Sequence, residues 1–147
     1  MGVVELILIG RVSTVNVAAG SVRVSFADRD DMVSGELPVL TPGGWGRGNA
    51  IPLPGERVLC VFLDNGRSAG FCLGTYFAED DQPSGSKDQR GVWFEDGSYV
   101  YYDRTAKRLN VKGSGGVRIE GDLTVTGKVS ASVFNDGGVV EQDEQYS

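Results

Sequence analysis

The chain has 147 residues, room for one ordinary domain or two small ones, with 14 Lys and Arg against 20 Asp and Glu, so a net charge of −6. An acidic balance argues against unaided binding of nucleic acid or anionic membrane. The complete lack of histidine removes the commonest general base and metal ligand at neutral pH, while 22 glycines, about twice the usual ~7%, point to an unusual backbone.

The opening "MGVVELILIG" is apolar but short. It has neither a basic n-region nor a cleavage site, so it does not read as a secretory signal. No run reaches the ~20 apolar residues of a membrane span. The expectation is a protein made and folded in a cytoplasm. Strand signals then follow closely. "ELILIGRVSTVNV" and "SVRVSFAD" are β-branched and apolar, joined by "AAGS", a short glycine-containing hairpin loop. In the second, Val22, Val24 and Phe26 share one face and Arg23 and Ser25 the other.

Residues 27–50 read as a long connection with a short strand at Leu37–Leu40 and a glycine-rich loop around Trp45. Pro54-Gly55 makes a turn. Val58–Leu63 is apolar on both faces, as a central strand is, and Asp64-Asn65-Gly66 turns the chain into a return strand at Phe71–Phe77. Cys60 and Cys72 sit in apolar surroundings on either side of this turn. They read as reduced core thiols facing across a hairpin, with a disulfide open to them only in an oxidising compartment.

Residues 1–80 thus form a small all-β unit. Residues 81–91 are polar, contain Pro83-Ser84-Gly85, and read as a linker. From 92 onward the chain is repetitive. "VWFEDGSYVYYD" is a hairpin around Asp96-Gly97. Then an alternation begins at Leu109 and Val111 and runs on through Val117, Ile119, Leu123, Val125, Val129, Ala131 and Val133. The even positions between 118 and 132 are polar throughout. As one strand, 109–133 would stretch roughly 80 Å at ~3.3 Å per residue. The run has no hairpin turn, and glycine recurs at 115, 121 and 127, so it reads as short strands separated by gentle bends. One such ribbon has nothing to bury its apolar face against. Three copies wound about one axis, odd positions inward, close a prism and mend each other's edges.

Together these residues resemble the phage baseplate assembly protein V family, the central spike of contractile phage tails and related bacteriocin-like particles. The match lies in "GRVSTVNVAAGSVRVSF", "LPVLTP…W", "LPGERVLCVFLDNGRSAGFCLGTYF" and "GDLTVTGKVSAS", and covers about residues 8–133. The resemblance implies an all-β chain: an N-terminal barrel of the oligonucleotide/oligosaccharide-binding (OB) type, then a C-terminal trimeric, triple-stranded β-helix spike. It implies a homotrimer at the baseplate centre of a virion or phage-tail-like particle, assembled in the bacterial cytoplasm, partnered by a hub protein and the tail tube, and meeting the target cell envelope on firing. Loops on rigid barrels carry recognition, which makes Asp30 and Asp31 in one loop, and Trp45 and Arg47 in the next, the hub-docking candidates.

Many family members carry a His-X-His near the tip that holds iron. This chain cannot, so the expectation is no metal and no cofactor. Its end instead offers Val139 and Val140 to close the core and an acidic cluster, Glu141, Asp143 and Glu144, which either splays or receives a separate tip protein. Two rival readings stand beside the spike. One is an OB module for nucleic acid or carbohydrate with an oligomerisation tail. Against it, residues 1–80 hold six arginines, no lysine and nine acids. The other is an enzyme, which the scattered carboxylates do not favour.

Overall fold

The computed structural model describes residues 6–63, 69–135 and 137. The chain is all-β: among the described residues the one helical turn is a short 3-10 segment at Ala27–Arg29. It divides into two compact units, residues 1–83 and 84–147.

The first unit is a six-stranded antiparallel sheet. Its strands are β1 (Ile7–Asn16), β2 (Ser21–Phe26), β3 (Met32–Val33), β4 (Leu37–Pro38), β5 (Arg57–Phe62) and β6 (Gly70–Thr75). The order is β3-β2-β1-β5-β6, with β4 also paired to β2. The sheet curls back on itself. Val39, next to β4, forms a parallel bridge with Cys72 of β6, and the Leu40 N–H donates to the Cys72 carbonyl at 2.9 Å. Inside lie Leu8, Val12, Val22, Val24, Phe26, Leu37, Val58, Cys60, Phe62 and Cys72, all buried. Phe26 and Phe62 meet edge to face at 5.8 Å. Gly10 is the only residue type that fits beside them, since a Cβ there would stand 2.5 Å from the Ser25 carbonyl oxygen and 2.8 Å from the Phe26 ring.

Two bulges set the register. In β1, Val12 pairs with Val24 but Thr14 pairs with Arg23, so Ser13 is the extra residue. In β6, Leu59 pairs with Gly74 and Cys60 with Cys72, so Leu73 is extra. Gly74 takes φ +123°, a conformation that L side chains rarely adopt. Each bulge exchanges the inward and outward faces of its strand. After Ser13 the inward residue is Val15, an odd position, where before it was Leu8 and Val12.

The second unit is a three-stranded antiparallel meander of β7 (Gln89–Trp93), β8 (Tyr99–Asp103) and β9 (Arg108–Lys112). Two sequence boundaries are corrected by it. The segment 81–91, read as a linker, includes the first three residues of β7. The ribbon read from Leu109 begins later, because Leu109 and Val111 belong to β9 and pair with Tyr102 and Val100. The turn that makes this pairing, Arg104–Lys107, holds no glycine. Asp103 supplies it instead: its Oδ1 accepts the Thr105 N–H at 2.9 Å and the Ala106 N–H at 3.1 Å, and Lys107 takes a left-handed φ of 56°.

Candidate functional site: an unpaired apolar ribbon

The candidate spike segment starts from a fixed point. Ser114 donates its N–H to Ser98 Oγ at 2.9 Å and its hydroxyl to the Asp96 carbonyl at 3.3 Å, which ties the end of the meander to the β7–β8 turn. Beyond it, residues 117–133 contain no strand and make no backbone hydrogen bond with another described residue. The chain changes direction at 114–115, 121, 126–127 and 132–133, close to a six-residue period that follows Gly115, Gly121 and Gly127. Of these three, Gly121 has a backbone that demands glycine, with φ +118°.

Every apolar side chain singled out in this ribbon is exposed. Ile119 is 58% and Leu123 68% accessible, and Val117, Val125, Val129, Ala131 and Val133 are also open to solvent. The polar positions interact among themselves, as in the Arg118–Glu120 ion pair at 2.8 Å. Among the described residues the ribbon is therefore a backbone without hydrogen-bond partners that carries a regular row of apolar side chains. Fully burying one Val, Ile or Leu is worth roughly 1.5–3 kcal/mol, so the arrangement favours association strongly. The tip residues Val139, Val140, Glu141, Asp143 and Glu144 lie outside the described residues, as does the Asp64–Gly66 turn.

The docking candidates lie on two loops of the first unit. Trp45 is fully exposed in a loop whose residues 43, 44, 46 and 48 are glycine, and Arg47 beside it is exposed too. Asp30 and Asp31 are both exposed and both left-handed, with φ 57° and 56°. Asp30 and Asp31 are thus adjacent on one loop and Trp45 and Arg47 on the other. Asp31 lines an open groove with Arg11, Arg57, Asp28 and Tyr76. The groove's two arginines are answered inside the chain: Arg57 Nη1 lies 3.2 Å from Asp80 Oδ1, and Arg11 donates to the Gly55 carbonyl at 2.9 Å.

Cys60 and Cys72 are free thiols, fully buried and directly opposite across β5 and β6. A hydrogen bond to Cys72, together with burial, pushes the Cys60 thiol well above its ordinary value, so it stays protonated. Among the described residues no three His, Cys, Asp or Glu side chains converge on a point where a metal ion could sit.

Two apolar surfaces were not singled out in the sequence. On the first unit, Ile7, Ile9, Phe71 and Leu73 are exposed on the outer face of the sheet. On the meander, Val92, Val100 and Tyr102 are exposed on the same face as Leu109 and Val111. The readable signal was the parity of residues 90–102, which the aromatic residues of the opposite face obscure. No protein-family model matches the chain, and no curated protein matches it either.

Proposed function

We propose that this chain is the structural central spike of a contractile injection system baseplate. It acts as a homotrimer that caps the tail tube and leads it through the target cell envelope. The observation that carries the reading is the ribbon 117–133, with its six-residue period of bends, its exposed apolar odd positions and its lack of backbone partners among the described residues. Three copies wound about one axis supply both missing elements at once: a dry interior for the odd positions and strand partners for the backbone. The self-closing sheet of residues 1–83 suits an OB-like barrel that docks on a hub through its loops, with Trp45 as the most exposed anchor. The mechanical role follows from the same design, since every strand of such a spike is bonded to a neighbouring chain and none can peel away alone.

The test is the native mass. The spike reading expects three times the chain mass of 15.7 kDa at micromolar concentration. A folded monomer overturns it. The exposed Trp45 beside Arg47 also fits a stacking platform for single-stranded nucleic acid or a sugar. A mobility shift with single-stranded DNA at low salt, abolished by Trp45→Ala, would favour that reading instead.

A further inference from the structure

The meander has two unlike faces. On one, Trp93 stacks on Tyr101 at 5.0 Å, Tyr99 meets Tyr101 edge to face at 5.0 Å, and the Lys112 ammonium stands 5.8 Å from the Tyr99 ring centre. Gly91 lies opposite Tyr101 on this face, where a Cβ would run into the Tyr101 backbone. This face is packed from within the unit. The other face is built from two cross-strand rows. Val92, Val100 and Val111 lie side by side and are 54%, 43% and 50% exposed, and next to them come Arg90, Tyr102 and Leu109.

We propose that the Val92–Val100–Val111 face of the β7–β9 sheet is a self-association surface, seated against the same face of other copies of this chain. It forms a collar above the ribbon. The inference rests on the trimeric-spike reading, which supplies the copies.

Three observations select a second copy over a foreign partner. First, Leu109 and Val111 of this face lead directly, across the hydrogen-bonded turn Gly113–Gly116, into the ribbon with its exposed Val117 and Ile119, so the two apolar surfaces are neighbours along the chain. Second, a foreign partner would need to match a flat valine face and a bent ribbon together, whereas each copy presents both shapes to its equals. Third, charge is kept away. The chain carries 20 Asp and Glu, yet the strand residues of this face are Arg90, Val92, Val100, Tyr102, Leu109 and Val111, with no carboxylate among them. A face that meets its own copies must avoid bringing like charges together, and this one places a single arginine on the outer strand β7.

The experiment uses the full-length chain. Val100→Asp should raise the concentration at which the assembly dissociates at least tenfold, while Lys112→Gln on the aromatic face leaves it unchanged. Trp93 emission reports whether the meander itself remains folded. Because Val100→Asp could unfold the sheet, Val100→Cys gives a second readout. In the assembled protein its thiol should react with a maleimide at least ten times more slowly than in the Ile119→Asp background, and wild type with its buried Cys60 and Cys72 is the blank. An intact trimer in which Val100→Cys labels at the rate of an open thiol overturns this inference and leaves the spike reading standing. A wild-type monomer overturns both. A protected Val100→Cys in a dimer supports the surface and overturns the trimer.

Discussion

The two units handle apolar side chains in opposite ways. In residues 1–83 a sheet curls until its ends join, and ten apolar residues from five strands vanish into one core. Among the described residues of the second unit the strands stop at Lys112, and the apolar side chains from Val117 to Val133 stay in the open. Both carry period-two patterns of similar quality. The difference is return: the first unit has turns that bring its strands back together, and the ribbon has bends that do not. A pattern that folds back makes its own interior, while one that runs on needs other chains to make it. The contrast is not complete, because Ile7, Ile9, Phe71 and Leu73 leave an apolar strip on the outside of the first unit as well.

The largest expected effect breaks the ribbon. Ile119→Asp or Val125→Asp brings symmetry-related carboxylates to the axis of a trimer, where burying unpaired like charges is costly. Native mass should fall to that of one chain, and Thr124→Asp, on the outward parity, should leave assembly intact. Equal effects from the inward and outward positions would mean that parity does not define an interior. Next comes the closed sheet. Phe26 is fully buried against Phe62, and Phe26→Ala should cost about 3–5 kcal/mol. Thermal unfolding should show the first unit melting earlier at a midpoint independent of protein concentration. A concentration-dependent shift there would mean that this core, too, depends on other copies.

A smaller effect is expected with acid, and it belongs to the meander. Asp96 lies below the ordinary carboxyl value of 3.8 because the Ser98 N–H and hydroxyl donate to it. Asp103 lies below it through the Ala106 N–H and the Gln89 amide. A depressed folded pKa means stability fully present above 3.8 and lost as pH falls through the folded values. Trp93 fluorescence should therefore report loosening of β7–β9 below pH 3.8, and Asp96→Asn with Asp103→Asn should flatten that profile. An unchanged profile in the double variant would assign the acid transition to other groups. The smallest effect is at Trp45. With its side chain fully exposed, Trp45→Ala should move stability by no more than about 0.5 kcal/mol while reducing incorporation into particles. A clear drop in the melting temperature would make Trp45 a structural residue and not a docking one.

The sequence alone placed most strands of residues 1–83, the shared face of Val22, Val24 and Phe26 in β2, Cys60 and Cys72 on either side of one hairpin, and the apolar row at the odd positions of 117–133. These are local properties: side-chain parity follows from the backbone of a single strand, and a glycine-bearing turn such as Val17–Gly20 marks its own place. The short strands it suggested within 117–133, however, are not formed, and the single buried face of β5 was not read. Only the tertiary structure decided the register. The bulges at Ser13 and Leu73 cannot be read from β1 or β6 separately, because an inserted residue is defined by the strand opposite. Leu37–Leu40 joins β2 to β6 through residues more than thirty positions apart. The turn at Arg104–Lys107 rests on the Asp103 carboxylate rather than on glycine, so Leu109 and Val111 read as ribbon until β9 was seen beside β8. Parity is set by one strand and its neighbours along the chain; pairing is set by which distant residues bury each other, and that sum is taken only when the whole unit folds.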